Sequence, residues 1–323
     1  MGGLGNQLFQ IFALIAYSLK HKSPFYFSNK TIQHGQRKKT YWNTPLLKSL
    51  QPFLKPETNA IVYHELYFHY KEIPAFNHPH PHPQHLKLFG YFQSYKYFQD
   101  QLEEIYKLIR LRENQATVQG KMQQYTQHHQ QVIAMHFRVG DYKNLQNHHP
   151  LMPLEYYTEA LTQLLHASEA APPQSSEYTV LYFCEEADHD YIQTQMILPL
   201  LSNPLFQNKF TFRCIDHNLG DWEQLLVMSL CQHHIIANST FSWWGAYLVG
   251  GSPPDPPIIV KTQTTPEGKT TTLLPETGVG ACPQEGGVGA CPHVYYPSTW
   301  FGSAMGDKNM SDLFPPHWHK INV

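Results

Sequence analysis

The stretch "DWEQLLVMSLCQHHIIANSTFSWWGAYL", residues 221–248, decides how the chain is read. It predicts a helix over 221–232, a short apolar strand over 234–237 and a second helix over 242–249, with a polar turn between strand and second helix. The same alternation runs upstream. Strand 132–137, helix 154–166, an Ala/Pro/Ser linker at 167–176, strand 178–183, helix 187–198 and strand 210–215 precede it, and strand 257–261 is expected to follow. Strands that alternate with helices imply an α/β fold whose parallel sheet is covered on both faces. Ligands of such sheets sit at the carboxyl ends of the strands, so the residues just after each strand carry most weight.

Three strand-end segments bring polar groups to that edge: "HFRVGDY" (136–142), "FCEE" (183–186) and "NSTFSWWGAYL" (238–248). Arg138 is a permanently charged fork suited to phosphate oxygens, and Gly140 allows a sharp turn before Asp141. Asn238, Ser239, Thr240 and Ser242 lead into a helix start, where free N–H groups and the helix dipole favour an anion. Each feature also has a plain structural reading. The turn can be an ordinary N-cap with Trp243 and Trp244 in the core, and Arg138 with Asp141 can be a surface ion pair. Together with the Gly-rich loop "MGGLGNQLFQ" (1–10), they describe a diphosphate cradle. That loop fits neither the dinucleotide fingerprint, because Leu8 stands where the third glycine belongs, nor the P-loop, which needs G-K-[ST].

The first half is read more coarsely. Leu8, Phe9, Phe12, Ile15, Ala16 and Leu19 recur at helical spacing and predict a helix over about 6–20. "KLFGYFQS" (87–94) reads as a strand and "YKYFQDQLEEIYKLI" (95–109) as the helix after it. Between them "NHPHPHPQH" (77–85) follows an extended, polyproline-like path, with its imidazoles strung along a rod rather than converging on a metal. A polar, Gln-rich segment at 119–131 places the domain boundary near 128. "GVGACP" occurs at 278–283 and again at 287–292, a local duplication read as a surface loop, with a thiol pair for redox or metal work as the alternative.

Composition narrows the classes. With 323 residues, 41% hydrophobic, 14% aromatic and only 15% charged, the chain is a globular protein long enough for two domains. A formal charge of -2 provides no broad basic field, so nucleic acid is not an expected partner. Five cysteines (Cys184, Cys214, Cys231, Cys282, Cys291) form an odd set without a CxxC pair and point to a reducing compartment. No apolar run reaches the length of a membrane span and no signal peptide is apparent, so a cytoplasmic or peripherally membrane-associated protein is expected.

"GGLGNQLFQ", "GYFQSYKYF" (90–98), "HFRVGDY" and "NSTFSWWGAYL", in this order, resemble the α-1,2-fucosyltransferase family. The resemblance implies a GT-B-like fold of two facing Rossmann-like domains, residues 1–128 on the acceptor side and 129–323 binding the donor. It implies GDP-β-L-fucose as donor and a galactose-containing glycan as acceptor, with no metal and no other cofactor. Arg138 would hold the diphosphate with His136 beside it, and Asn238, Ser239, Thr240, Phe241 and Ser242 would hold the nucleotide sugar. Gly3, Gly5 and Asn6 would approach the donor from the other domain. Two departures stand out. Val139 replaces the second arginine of the HxRRGDY pattern, and Cys184–Glu185 replaces a Ser-Asp type pair, leaving Glu185 as a candidate donor contact.

Making an α-linked product from a β-linked donor requires inversion, most simply one displacement by the acceptor hydroxyl opposite the leaving GDP. Stabilising the departing diphosphate would then contribute most of the rate, through Arg138 and helix N–H groups. Asp141 or His136 are the candidates for general base. Two other classes compete: a GDP-sugar or glycan-binding protein without turnover, and a His-rich metal-binding protein. The opening glycine loop lacks the buried strand that relatives place before it, which predicts a fragment or a start assigned too late.

Overall fold

The structure, a computed structural model, describes residues 2–30, 39–76, 85–126, 131–169, 177–249, 262–264, 270–272 and 292–323. The chain forms two compact units. Among the described residues the first takes 2–114, 262–264, 270–272 and 309–315, and the second takes 115–249, 292–308 and 316–323.

The first unit opens with α1 (Leu4–His21), whose apolar stripe Leu4, Leu8, Phe9, Ile11, Phe12, Ile15 and Ala16 is buried, as the periodicity predicts. β1 (Phe27–Ser28) pairs in parallel with β2 (Leu54–Lys55), and α2 (Pro45–Lys48) starts on the proline that suits a first helical turn. β3 (Ala60–His64) pairs in parallel with β4 (His85–Phe89) over five residues.

The strand expected to reach residue 94 stops at Phe89 because a carboxylate captures the next amides. Glu65 Oε2 accepts from the N–H of Tyr91 (2.7 Å) and of Phe92 (2.8 Å), and Phe92 turns to φ 53°. A Cβ on Gly90 would lie 2.4 Å from the Glu65 side chain, so this approach requires glycine. The helix expected over 95–109 is two 3-10 turns, Tyr95–Tyr97 and Gln99–Gln101, followed by α3 (Leu102–Ile109). The break is at Phe98, which leaves helical geometry to insert its ring against Phe9 and Phe12 at centroid distances of 6.0 and 5.4 Å. Arg110, in the left-handed region, separates α3 from α4 (Leu111–Gln123).

The second unit is the α/β sheet. In chain order it uses β5 (Gln131–His136), α5 (Leu154–Glu169), β6 (Tyr178–Phe183), α6 (His189–Ile192), α7 (Leu198–Ser202), β7 (Phe210–Cys214), α8 (Asp221–Ser229), β8 (His233–Ile235) and α9 (Thr240–Tyr247). In the first unit β9 (Thr262–Thr264) pairs antiparallel with β10 (Thr270–Thr272), and in the second β11 (Val294–Pro297) and β12 (His319–Ile321) complete the sheet. The strand order is β12-β11-β8-β5-β6-β7, with every pairing parallel.

All six residues of β6 and five of β5 are buried, the burial expected of parallel strands covered on both faces. Ile133, Met135, Val180, Leu161, Leu164 and Ile192 meet in this core. Tyr156 of α5 anchors its hydroxyl on the carbonyls of Ile236 (2.6 Å) and Tyr295 (3.1 Å), binding helix to two strand ends.

The helix expected over 187–198 runs longer and is irregular. A π turn, Gln193–Ile197, joins α6 to α7 just before Pro199. Proline has no N–H for the Gln195 carbonyl and its ring crowds that carbonyl, and widening the preceding turn relieves both problems. The expected strand 257–261, the His/Pro tract apart from His85, the boundary near 128 and the duplicated GVGACP segments apart from Pro292 lie outside the described residues.

Candidate functional site

The carboxyl end of β5 runs directly into the arginine loop. His136 is the last strand residue and is buried, with Nδ1 2.9 Å from Ser242 Oγ and its own carbonyl accepting from Tyr157 Oη at 3.1 Å. Burial, reinforced by the nearby Arg138 cation, lowers its pKa to about 3, so the ring is neutral at neutral pH. A base that weak accepts a proton from a hydroxyl poorly.

Arg138 follows two residues later with its side chain only 12% exposed. It is ion-paired on both sides, to Asp141 and to Glu185, and its guanidinium lies 4.7 Å from the Tyr142 ring centroid. Burial opposes its charge, but Asp141 and Glu185 outweigh that and raise its pKa. Asp141 and Glu185 are themselves 41% and 49% exposed, so the exposed edge of the guanidinium is carboxylate-lined.

The loop is shaped by Gly140, at φ +34°, whose added Cβ would lie 3.0 Å from Glu185 Oε2 and 3.2 Å from Arg138 Nη1. Its N–H donates to Asp188 Oδ2 at 2.6 Å, and Lys143 Nζ holds the other oxygen of the same carboxylate at 2.8 Å. Asp188 is thus a buried clamp between the loop after β5 and the loop after β6. Sequence reasoning passed over it, since nothing but its place just beyond a strand end marks it out.

The third strand end is the turn after β8. Ser239 is the N-cap of α9, accepting from Phe241 N, which makes the N-cap reading correct for this residue. Ser242 is fully buried and turned to His136 instead. Asn238 donates from Nδ2 to the carbonyls of Pro150 (2.9 Å) and Trp300 (3.3 Å), while its Oδ1 is buried without a hydrogen-bond partner among the described residues. Tyr142 Oη donates to the Asn238 carbonyl at 3.3 Å, joining the arginine loop to this turn, and Phe241 faces the His136 ring at 5.7 Å. Tyr142 also stacks on His149 at 4.7 Å. Arg138, Asp141, Glu185, His136 and the Asn238–Ser242 turn therefore form one connected cluster, with Trp243 and Trp244 behind it in the core.

Gly3, Gly5 and Asn6 belong to the first unit. Gly3 is the N-cap of α1 and contributes no side-chain cap, and no acidic residue occupies the first turn. Asn6 Oδ1 accepts from Gln93 Nε2 at 2.8 Å, linking two of the quoted motifs within that unit. The first unit also carries an open pocket of about 590 Å³, with Gln10, Tyr17, Phe27, Trp42, Lys87 and Phe92 in its wall.

No helix among the described residues is long and apolar enough to cross a membrane. The chain is 22% identical to the O-antigen biosynthesis glycosyltransferase WbnK of Escherichia coli over 169 residues, covering 50% of this chain. It spans half the length of that relative. A solved structure of an Arabidopsis thaliana FUT1 mutant in complex with GDP aligns over 84% of this chain and 72% of its own, at a TM-score of 0.42 and 12% identity. The profile of glycosyl transferase family 11 matches residues 208–268. The matched segment contains β7, α8, β8 and α9, with the Asn238–Ser242 turn, and it is this part of the chain that resembles glycosyl transferase family 11.

Proposed function

We propose that the chain transfers L-fucose from GDP-β-L-fucose to the 2-hydroxyl of a galactoside, with inversion, forming an α-1,2 linkage. The observation that carries this reading is the convergence of a nearly buried arginine and a capped helix start at adjoining strand ends of one parallel sheet. Such an arrangement can neutralise a departing diphosphate without rearranging water. Family 11 similarity over residues 208–268, which hold the capped helix start, and the glycan-building role in the name of the bacterial relative support a glycosyl-transfer reading.

In this proposal Arg138 binds the diphosphate, the Asn238–Ser242 turn binds the nucleotide sugar, and Glu185, paired to Arg138, borders the donor edge. Gly3, Gly5 and Asn6 are proposed donor contacts of the first unit. Asp141 is the proposed base, since it is the more accessible of the two candidates and burial depresses the basicity of His136. The aromatic wall of the first-unit cavity suits an apolar sugar face.

Incubating the protein with GDP-fucose and lactose should give the fucosylated trisaccharide, and Arg138→Ala should abolish it while the thermal melt stays near that of the parent. Near-normal turnover by Arg138→Ala would overturn the assignment. A second reading, donor binding without turnover, has one observation in its favour: both sides of Arg138 are already held by carboxylates, and Val139 supplies no second cation. It predicts GDP binding with no trisaccharide.

A further inference from the structure

Two cysteines reach the same edge of the sheet for a topological reason. β6 and β7 are parallel neighbours in the register Tyr182↔Cys214, so Cys184, just past the end of β6, stands beside Cys214, the last residue of β7. His189 opens α6, and His217 lies three residues beyond Cys214. One ligand atom from each of Cys184, His189, Cys214 and His217 lies within 4.8 Å of the other three.

A tetrahedral zinc ion, with Zn–S near 2.3 Å and Zn–N near 2.0–2.1 Å, sets its ligand atoms roughly 3.3–3.8 Å apart. Cys214 Sγ and His217 Nε2 are already at 3.5 Å. Closing the widest remaining gap, at most 4.8 Å, takes about 1.0–1.5 Å. His189 Nδ1 is buried with no hydrogen-bond partner among the described residues, an arrangement that is costly unless something else satisfies the ring. Neither cysteine is in a disulfide.

We infer that Cys184, His189, Cys214 and His217 form a structural zinc site of the Cys2His2 type. On binding, both thiols lose their protons to solvent, and two thiolates with two neutral imidazoles leave the centre without net charge. The half-sites, Cys-x4-His and Cys-x2-His, end neighbouring strands, and only the strand order makes them one cluster. The metal would fix the segment 184–189, which carries Glu185 and Asp188 and so sets the position of the Arg138 loop. All four ligands are full in such a site, so it is structural rather than catalytic.

Cobalt(II) distinguishes this site from the chain's many other histidines, because only thiolate ligands give a sulfur-to-cobalt charge-transfer band. Titrating the reduced, tag-free protein with cobalt(II) should give that band together with the strong visible absorption of a tetrahedral ion, saturating at one equivalent and bleached by zinc. Cys214→Ser should lose most of the charge-transfer intensity with an unchanged far-ultraviolet circular dichroism spectrum. A weak, octahedral-type spectrum in the intact protein would overturn the site without reference to any variant. So would full intensity in Cys214→Ser, or mass-spectrometric proof that Cys184 and Cys214 are disulfide-bonded as isolated.

Discussion

His136 Nδ1 lies 2.9 Å from Ser242 Oγ, and this bond joins the end of β5 to the first turn of α9 inside the core. Removing the hydroxyl leaves a buried ring nitrogen without a partner, which typically costs about 1–3 kcal/mol. Ser242→Ala should therefore lower the unfolding free energy obtained from urea denaturation by that amount, and an unchanged midpoint would show that the contact contributes nothing to stability.

The same histidine makes the protein acid-sensitive. Its folded pKa of about 3 lies below the ordinary 6.5, as do those of His233 (about 4) and His234 (about 3), all depressed first by burial. Between each pair of values the unfolded chain takes up a proton that the folded chain refuses. The stability is thus complete above pH 6.5 and is lost as pH falls towards 3–4, at about 1.4 kcal/mol per pH unit per histidine. Urea midpoints measured at pH 7, 6 and 5 should fall in sequence, and a flat profile would contradict the neutral buried state.

Gly245 and Met228 are a packing pair between α9 and α8. A Cβ at Gly245 would meet Met228 Sδ at 2.2 Å and Cγ at 2.6 Å. Gly245→Ala should destabilise by about 1–3 kcal/mol through overpacking. In a Met228→Ala background the same change should cost less, since the colliding atoms are gone; additive effects in a double-mutant cycle would refute this pairing.

Glu185 competes with any anion for Arg138. Glu185→Gln keeps the size and removes the charge, and should tighten GDP binding by up to about fivefold, the scale of a half-exposed ion pair. Calorimetric titration with GDP decides the point. Weakening of tenfold or more would instead make the carboxylate a direct contact of the nucleotide.

Asn238→Asp puts a carboxylate where an amide donates to the carbonyls of Pro150 and Trp300. Both hydrogen bonds are lost and a charge is buried against two oxygens, so a loss of at least about 2–3 kcal/mol is expected. Thermal unfolding of the variant checks it, and a melt matching the parent's would mean that the turn has opened to water.

The second unit was legible from local pattern because its strands are short apolar runs bounded by helices. Strand 178–183 is predicted with the bounds observed, and the strand ends predict Arg138, Asp141, Glu185 and Ser242 at one edge. What escaped the reading was set by contacts distant in sequence. β11 and β12 have no alternation of their own to announce them and are defined by pairing with β8 and with each other. Phe98 breaks a helix that its neighbours favour because a ring pocket formed by Phe9 and Phe12 competes successfully. Asp188 and the Cys/His quartet are invisible one at a time, since their partners arrive from other strand ends.

The strand order also dictates how the second unit must assemble. β6 and β7 are joined across a span of about thirty residues, whereas Ile133 must find His233 and Val294 must find His234 over far longer loops. Ordering a longer loop costs more entropy before any contact repays it, so the local pairs β6–β7 and β11–β12 should close first and the β5–β8 seam last. In stopped-flow refolding, Val180→Ala should mainly slow folding, while Ile235→Val, at the late β5–β8 seam, should act chiefly on the unfolding rate.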